Sequence, residues 1–290
     1  DLRFVQTTLA LRQQDLARQR RSLNDIKVLR DNGAATNVEV TQAQAVIEET
    51  KIVIANQTGE LSRQANRLSS LLGVPAGVTG YPARASAGQP LPKGPTPQLV
   101  PADLIRSRPD IRAAEDRYRA AIANIGVAEA ARYPSLSLTG SITARTNNPD
   151  APAGILGAVI DIPVFDQGAR KSVVDERRAQ ANVALLDWRS RVLLAVEEVE
   201  NALAALQAST NALQSANRLV RLRQDALNQS RDLLGSGQIT VSDFLDREVA
   251  LSQARAQRAR SRRDIAVNYA LLQIALGAQR PEGGMVAMVQ

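Results

Sequence analysis

The sequence predicts a mainly α protein: long helices paired into antiparallel coiled-coil hairpins, one β-hairpin, and an internal repeat relating the two ends of the chain. Three observations lead there. From Ala169 to Leu234 there is no proline or glycine, and apolar residues recur every seven positions. Between Tyr133 and Phe165 the period switches to two. A gapless shift of 204 residues lays 2–73 on 206–277, so that Gly33 falls on Gly237, Thr36 on Thr240 and Gly73 on Gly277.

The first segment, 1–73, is read as a helical hairpin by that repeat, with Leu2, Leu9, Leu16 and Leu23 falling on Leu206, Leu213, Val220 and Leu227. Residues 74–103 hold seven of the thirteen prolines and four glycines, the composition of an extended surface crossover. A short helix is expected over Pro109–Arg132, within the segment 104–132. Pro109 and Asp110 suit its first turn, and Ile111, Tyr118 and Ile125 alternate in heptads with Ala114, Ala121 and Ala128.

Segment 133–168 holds the strands. Ser135, Ser137, Thr139, Ser141 and Thr143 alternate with Leu136, Leu138, Gly140, Ile142 and Ala144. A turn at Asn147-Asn148-Pro149-Asp150 leads to a second strand, with Leu156, Ala158, Ile160, Ile162 and Val164 on one face and Ile155, Gly157, Val159 and Asp161 on the other. Each strand has about the 9–11 residues that cross a bilayer at a tilt. A soluble hairpin buried on one side has a similar pattern. Tyr133 and Phe165 mark one end, as an interfacial girdle would. Two strands cannot close a barrel, so this hairpin must join others.

The last helical segment, 169–277, carries Leu185, Val192, Val199, Leu206, Leu213, Val220, Leu227 and Leu234 at one heptad position, and mostly small residues at its companion: Ala195, Ala202, Ser209, Ala216 and Ser230. Sixty-six helical residues would reach ~100 Å. Gly235-Ser236-Gly237 breaks this helix, and Thr240 caps a partner running to Leu276. The tail 278–290 reads as flexible. The repeat also predicts about 100 residues before Asp1, counterparts of 104–204, and hence a parent protein with a second strand pair.

Composition excludes most chemistry. With no His and no Cys there is no thiol nucleophile, no imidazole base and no Cys/His zinc site, and neither a catalytic site nor a cofactor is expected. A net charge of +7 invites a nucleic-acid reading, but most Arg residues neighbour Asp or Glu along helices, as in Asp175-Glu176-Arg177-Arg178. The basic stretch Arg255–Arg263 has no interleaved aromatic for base stacking. No run of ~20 apolar residues exists, which excludes a spanning helix but not a closed barrel.

These residues resemble a known family. Arg108-Pro109-Asp110-Ile111-Arg112-Ala113-Ala114-Glu115, then Ile125-Gly126-Val127-Ala128, then Tyr133-Pro134-Ser135-Leu136-Ser137-Leu138 are similar to the second-repeat signature of TolC-like outer-membrane efflux channels, and within them to the OprM/NodT-type lipoproteins. Ile162-Pro163-Val164-Phe165-Asp166-Gln167-Gly168 and Val196-Glu197-Glu198-Val199-Glu200-Asn201-Ala202-Leu203 resemble the strand-to-helix junction and the helix after it. The resemblance implies a homotrimer in the outer membrane, lipid-anchored when full length. Four strands per protomer would form a barrel, continued by a periplasmic α-barrel. It would be a passive duct served by a periplasmic adaptor and an inner-membrane efflux transporter. The chain departs from the pattern in lacking the first strand pair and the acylated N-terminal Cys, and its connection Arg145–Gly154 is short.

By the same resemblance, Gly33-Ala34-Ala35-Thr36 and Gly237-Gln238-Ile239-Thr240 are the turns that meet the adaptor; on residue type alone they end one helix and cap the next. Asp243 and Asp246, three apart on one helix face, match an acidic ring that constricts the channel mouth in the family, while a first-turn Asp also complements the helix dipole. Their repeat counterparts are Glu39 and Gln42. Two other classes are a soluble coiled-coil adaptor or scaffold and a basic nucleic-acid-binding helical protein. Detergent dependence and stoichiometry separate the first from a channel, and steep salt dependence of binding would mark the second.

Overall fold

The computed structural model describes residues 1–76, 88–92, 108–143 and 153–277. Seven elements follow in order: α1 (Leu2–Asp31), α2 (Asn37–Leu71), α3 (Pro109–Ala130), β1 (Ser135–Thr143), β2 (Ala153–Asp161), α4 (Ala169–Gly235) and α5 (Val241–Ala275). The expected strand turn at 147–150, most of the crossover and the tail 278–290 lie outside the described residues. The chain divides into two compact units, Asp1–Thr96 with Glu200–Ile274 and Pro97–Val199 with Ala275–Gln290, so α4 contributes residues to both. Among the described residues no helix is long and apolar enough to cross a membrane.

The heptad line of α4 becomes its packing stripe. Val199, Leu206, Val220 and Leu227 are buried, with Ala195, Ser209, Ala216 and Ser230 beside them, while Leu185, Val192, Leu213 and Leu234 are half-buried. Small residues at the companion position let a neighbouring backbone approach. In the first unit α1 and α2 form one hairpin and the end of α4 with α5 forms another. Within the second hairpin Val220 and Leu227 pack with Phe244, Leu251 and Ala254. Within the first, Thr8 Oγ1 donates to Gln57 Oε1 at 3.0 Å. The described crossover segment meets α5 through Gln89 Nε2, which donates to the Ala259 carbonyl at 2.9 Å.

In the second unit α3 lays Ile111 and Ala114 into the interior, and Ile111 packs with Ala195, Trp188 and Val192 of α4. Tyr118 stacks on Trp188, centroids 6.1 Å apart and planes 11° from parallel. Arg108, just before α3, forks onto Asp110 at 3.1 and 2.9 Å and sends Nη1 to both Glu198 Oε2 at 2.7 Å and the Ala275 carbonyl at 2.9 Å. The Arg-Pro-Asp signature and the Glu-rich segment of α4, far apart in sequence, thus meet at one guanidinium. α3 ends at Ala130, two residues before the expected Arg132, because its last turn tightens: the Arg132 and Tyr133 amides donate three residues back, to Glu129 and Ala130, each at 3.0 Å, and Pro134 disfavours the helical region for Tyr133.

β1 and β2 pair antiparallel from Ser135 opposite Asp161 to Thr143 opposite Ala153. Residues directly opposite share a face, so the period-two pattern resolves into two surfaces. Leu136 with Ile160, Leu138 with Ala158 and Gly140 with Leu156 make one wholly apolar; Ser135 with Asp161, Ser137 with Val159, Thr139 with Gly157 and Ser141 with Ile155 make the other mixed and polar. The second strand is shorter at its end than the sequence pattern indicated. Ile162, Pro163 and Val164 lie beyond it, since Ile162 would have to pair with Pro134 and neither proline carries an N–H for the ladder.

The strand-to-helix junction follows. Gln167 and Gly168 both take positive φ, +53° and +87°, and Asp166 accepts hydrogen bonds from the Gly168 and Arg170 amides, each at 3.0 Å. Those two donations, that of Arg170 first, hold the Asp166 carboxyl below its ordinary range.

Candidate functional site

The two helix turns are built alike. α1 ends with the Gly33 amide donating to the Arg30 carbonyl at 2.9 Å and the Ala34 amide to Leu29 at 2.8 Å. α4 ends with Gly237 donating to Leu234 at 3.0 Å and Gln238 to Leu233 at 2.9 Å. Each is the paired bonding of a Schellman turn, which needs a left-handed residue after the helix; φ is +74° at Gly33 and +72° at Gly237. The donor and acceptor residues correspond one for one under the shift of 204, so the repeat holds at the level of single hydrogen bonds.

The following helices begin alike too. Glu39 N–H donates to Thr36 Oγ1 at 3.3 Å and the Glu39 carboxylate accepts from the Thr36 amide at 2.7 Å. Asp243 N–H donates to Thr240 Oγ1 at 3.1 Å and its carboxylate accepts from the Thr240 amide at 3.2 Å and the Thr240 hydroxyl at 2.7 Å. These are capping boxes. The Thr240 hydroxyl and amide hold the Asp243 carboxyl below its usual range, and the Thr36 amide does the same for Glu39, with help from the Thr36 hydroxyl and the Val241 amide.

Ala35 and Ile239, again repeat counterparts, are the half-buried residues that pin each turn to apolar clusters. Ile26, Val40 and Ala43 of the first hairpin pack with Val241 and Leu245 of the second, and Gln42 Nε2 donates to Ser242 Oγ at 3.1 Å. Gly33, Ala34, Thr36, Gly237, Gln238 and Thr240 remain exposed. The two turns therefore form one paired surface. Asp246 is exposed one turn beyond Asp243. The carboxylate of Asp243 is committed to its cap within the chain, that of Asp246 is not.

Behind the tips lies a feature the sequence reading missed. The most buried face of α1 is not its leucine line, which is half-buried, but Thr8, Asp15, Gln19, Ser22 and Ile26. Asp15 bonds to Arg18 and Ser252, Arg12 bonds to Ser252, and Arg255 lies 3.8 Å from Asp15. Ser22 Oγ donates to Glu248 Oε1 at 2.9 Å, and burial pushes the Glu248 carboxyl above its ordinary range. Among the described residues Gln19 Oε1 and Glu248 Oε2 have no hydrogen-bond partner, and these two side chains line a cavity of about 10 Å³ with Asp15 and Arg18. The signal was present as matched four–three spacings: 8, 12, 15, 19, 22, 26 on α1 and 241, 245, 248, 252, 255, 259 on α5. Among the described residues no group of acidic side chains could hold a metal ion.

Paired coiled-coil hairpins with a two-faced strand pair define a mainly helical protein whose β-segment has the length and apolar face of a membrane crossing. The family model described as "Outer membrane efflux protein" matches residues 100–278, and the chain belongs to that family. The family is one of efflux proteins rather than enzymes. The chain is 34% identical over 284 residues to Nodulation protein T of Rhizobium leguminosarum bv. trifolii, across 96% of this chain and 61% of that protein. The solved structure of the outer-membrane channel OprN superposes with a TM-score of 0.84 at 27% identity, covering 96% of this chain and 64% of that one. CusC, in structures describing folding and transmembrane channel formation, superposes at 0.82 with 26% identity, covering 96% and 66%. The chain thus spans less than two thirds of the length of these relatives.

Proposed function

We propose that the protein carrying this chain is the outer-membrane component of a tripartite efflux pump, a passive homotrimeric exit duct. One observation carries the reading: the register of β1 on β2 puts Leu136, Leu138, Leu156 and Ile160 on one face, each 65–84% exposed. In water such a face would be buried. In a barrel wall it meets lipid, while the Ser/Thr face lines an aqueous lumen. Nine residues per strand is the length a tilted crossing needs. This weighs against a soluble scaffold, and arginines ion-paired along the helices, such as Arg63, Arg119 and Arg191, weigh against a nucleic-acid binder.

In this reading the helices continue the lumen into the periplasm. The exposed turns Gly33–Thr36 and Gly237–Thr240 receive a periplasmic adaptor that links the duct to an inner-membrane transporter. Asp243 and Asp246 of three protomers ring the mouth as a gate, Asp243 from its cap and Asp246 as the free carboxylate. The test is the full-length protein in detergent, weighed for subunit count and recorded in planar bilayers. A conducting trimer supports the proposal; a monomer, a dimer or a silent trimer overturns it. Asp243→Asn with Asp246→Asn should weaken cation selectivity and multivalent-cation block; unchanged values with the trimer intact would reduce both residues to helix-start groups.

A further inference from the structure

Where the strands give way to helices, the second unit holds a cavity of about 300 Å³ lined by Arg132, Val164, Phe165, Asp166, Arg170 and Lys171. Its charge does not cancel. Asp166 is engaged by the Gly168 and Arg170 amides and faces Arg170 Nε at 3.7 Å, and Arg170 also donates to the Ala131 carbonyl. Arg132 and Lys171 have no carboxylate partner among the described residues, although nearby Arg178 pairs with both Glu129 and Asp175. Two uncompensated cations therefore share one concavity.

The rim of that concavity is apolar and bare. Val164 and Phe165 are 89% and 86% exposed, Tyr133 is 70% exposed, and the apolar strand face starts at once with the pair Leu136 and Ile160. The N-terminus of α4 is not the attraction, because Asp166 already occupies its amides. A ligand that satisfies both halves has an anionic head for Arg132 and Lys171 and hydrocarbon for Phe165 and the strands. Guanidinium and ammonium groups are the usual partners of phosphate oxygens, and aromatic side chains settle at headgroup level.

We propose that Arg132 and Lys171 form a binding site for the phosphate of an anionic phospholipid in the leaflet next to the helices, with the acyl chains lying on Phe165 and the Leu136–Ile160 face. The site rests on the membrane reading of the hairpin given above, and it adds a specific lipid contact at each protomer's strand base.

The test uses the full-length trimer, delipidated in detergent and titrated with phosphatidylglycerol while bound lipid is counted by native mass spectrometry. Arg132→Gln with Lys171→Gln should weaken lipid retention about thirtyfold, the order expected for two cations at an anionic surface. Arg132→Lys with Lys171→Arg should retain it, and so should the charge-matched control Arg260→Gln with Arg262→Gln. Millimolar inorganic phosphate should not displace the lipid; displacement would identify a free-phosphate site and overturn the lipid assignment. Equal retention by the Gln pair and wild type, in trimers that still conduct, would overturn the site alone. Loss of conductance and of trimer in the wild type would instead overturn the channel reading beneath it.

Discussion

Gly73 and Gly277 are repeat counterparts with the same left-handed backbone, φ +72° and +68°, but different surroundings. A Cβ built at Gly73 meets nothing within 4 Å, whereas one at Gly277 falls 2.6 Å from Arg108 Cγ and 3.4 Å from Arg108 Cα. Alanine at either position carries the left-handed penalty of about 1–2 kcal/mol. At Gly277 the root of the Arg108 side chain must also retreat. Its partners Asp110 and Glu198 are 47% and 57% exposed, so those ion pairs contribute little. The Arg108 side chain is only 11% exposed, and its bond to the Ala275 carbonyl, as a hydrogen bond to a charged group, is worth about 1.5–3 kcal/mol. Gly277→Ala should therefore destabilise by about 2.5–5 kcal/mol and Gly73→Ala by about 1–2. In an Arg108→Ala background Gly277→Ala should fall back to about 1–2 kcal/mol, a coupling near 2. Urea unfolding followed by far-ultraviolet circular dichroism, at one protein concentration, measures all four variants. Equal losses at the two glycines, or no coupling to Arg108, would refute the argument.

Thr36→Ala and Thr240→Ala should each lose about 1 kcal/mol and speed amide exchange in the first turns of α2 and α5, with serine restoring both; unaltered exchange would mean the caps are not formed in solution. Burial raises the Glu248 carboxyl, so its protonation favours the fold: its contribution is complete below the ordinary glutamate pKa of about 4.3 and lost as pH rises through the raised value. Glu248→Gln should gain stability over wild type as pH increases, and a pH-independent difference would sink this. Asp243 and Glu39 are lowered and carry the opposite sign, so acid should loosen the tips, read as faster exchange there below about pH 4. Leu138→Arg should cost the assembled trimer about 2–4 kcal/mol if that face meets lipid, while Thr139→Arg leaves assembly intact and changes conductance; the reverse would invert the barrel assignment.

The helical part of this fold was legible because its signals are local. Eight apolar residues at one heptad position can only make a stripe, and every one of them is buried or half-buried in α4. Gly33 and Gly237 were readable as turns because the conformation they adopt excludes most other residues. The faces of the hairpin followed from period two alone. Where β2 stops did not, because it depends on where β1 starts: Pro134 removes the partner amide that Ile162 would need. Asp243 shows a different limit. Its type and place fitted both a dipole-complementing cap and a ring around a mouth. The chain's own geometry supplies the cap through Thr240, whereas a ring is a property of three chains.

The polar seam of α1 escaped because a pattern reading ranks leucines, and Asp15, Gln19 and Ser22 at core spacing look like a solvated face until a second helix offers matching groups. α5 does so with Glu248, Ser252 and Arg255. The apolar contacts lie elsewhere: inside the α4–α5 hairpin, and at the tips where Ile26 meets Val241 and Leu245. A buried ionic seam between hairpins is weak evidence for stability, since desolvation offsets most of the attraction. It is stronger evidence for register, because a slip of one heptad would take Ser252 and Arg255 away from Asp15 and, in one direction, bring Leu245 and Glu248 opposite it instead. The apolar tip cluster holds the hairpins together, and the seam fixes how far along each other they lie. That alignment sets Gly33–Thr36 level with Gly237–Thr240, so the paired surface at the tips depends on charges several helical turns away.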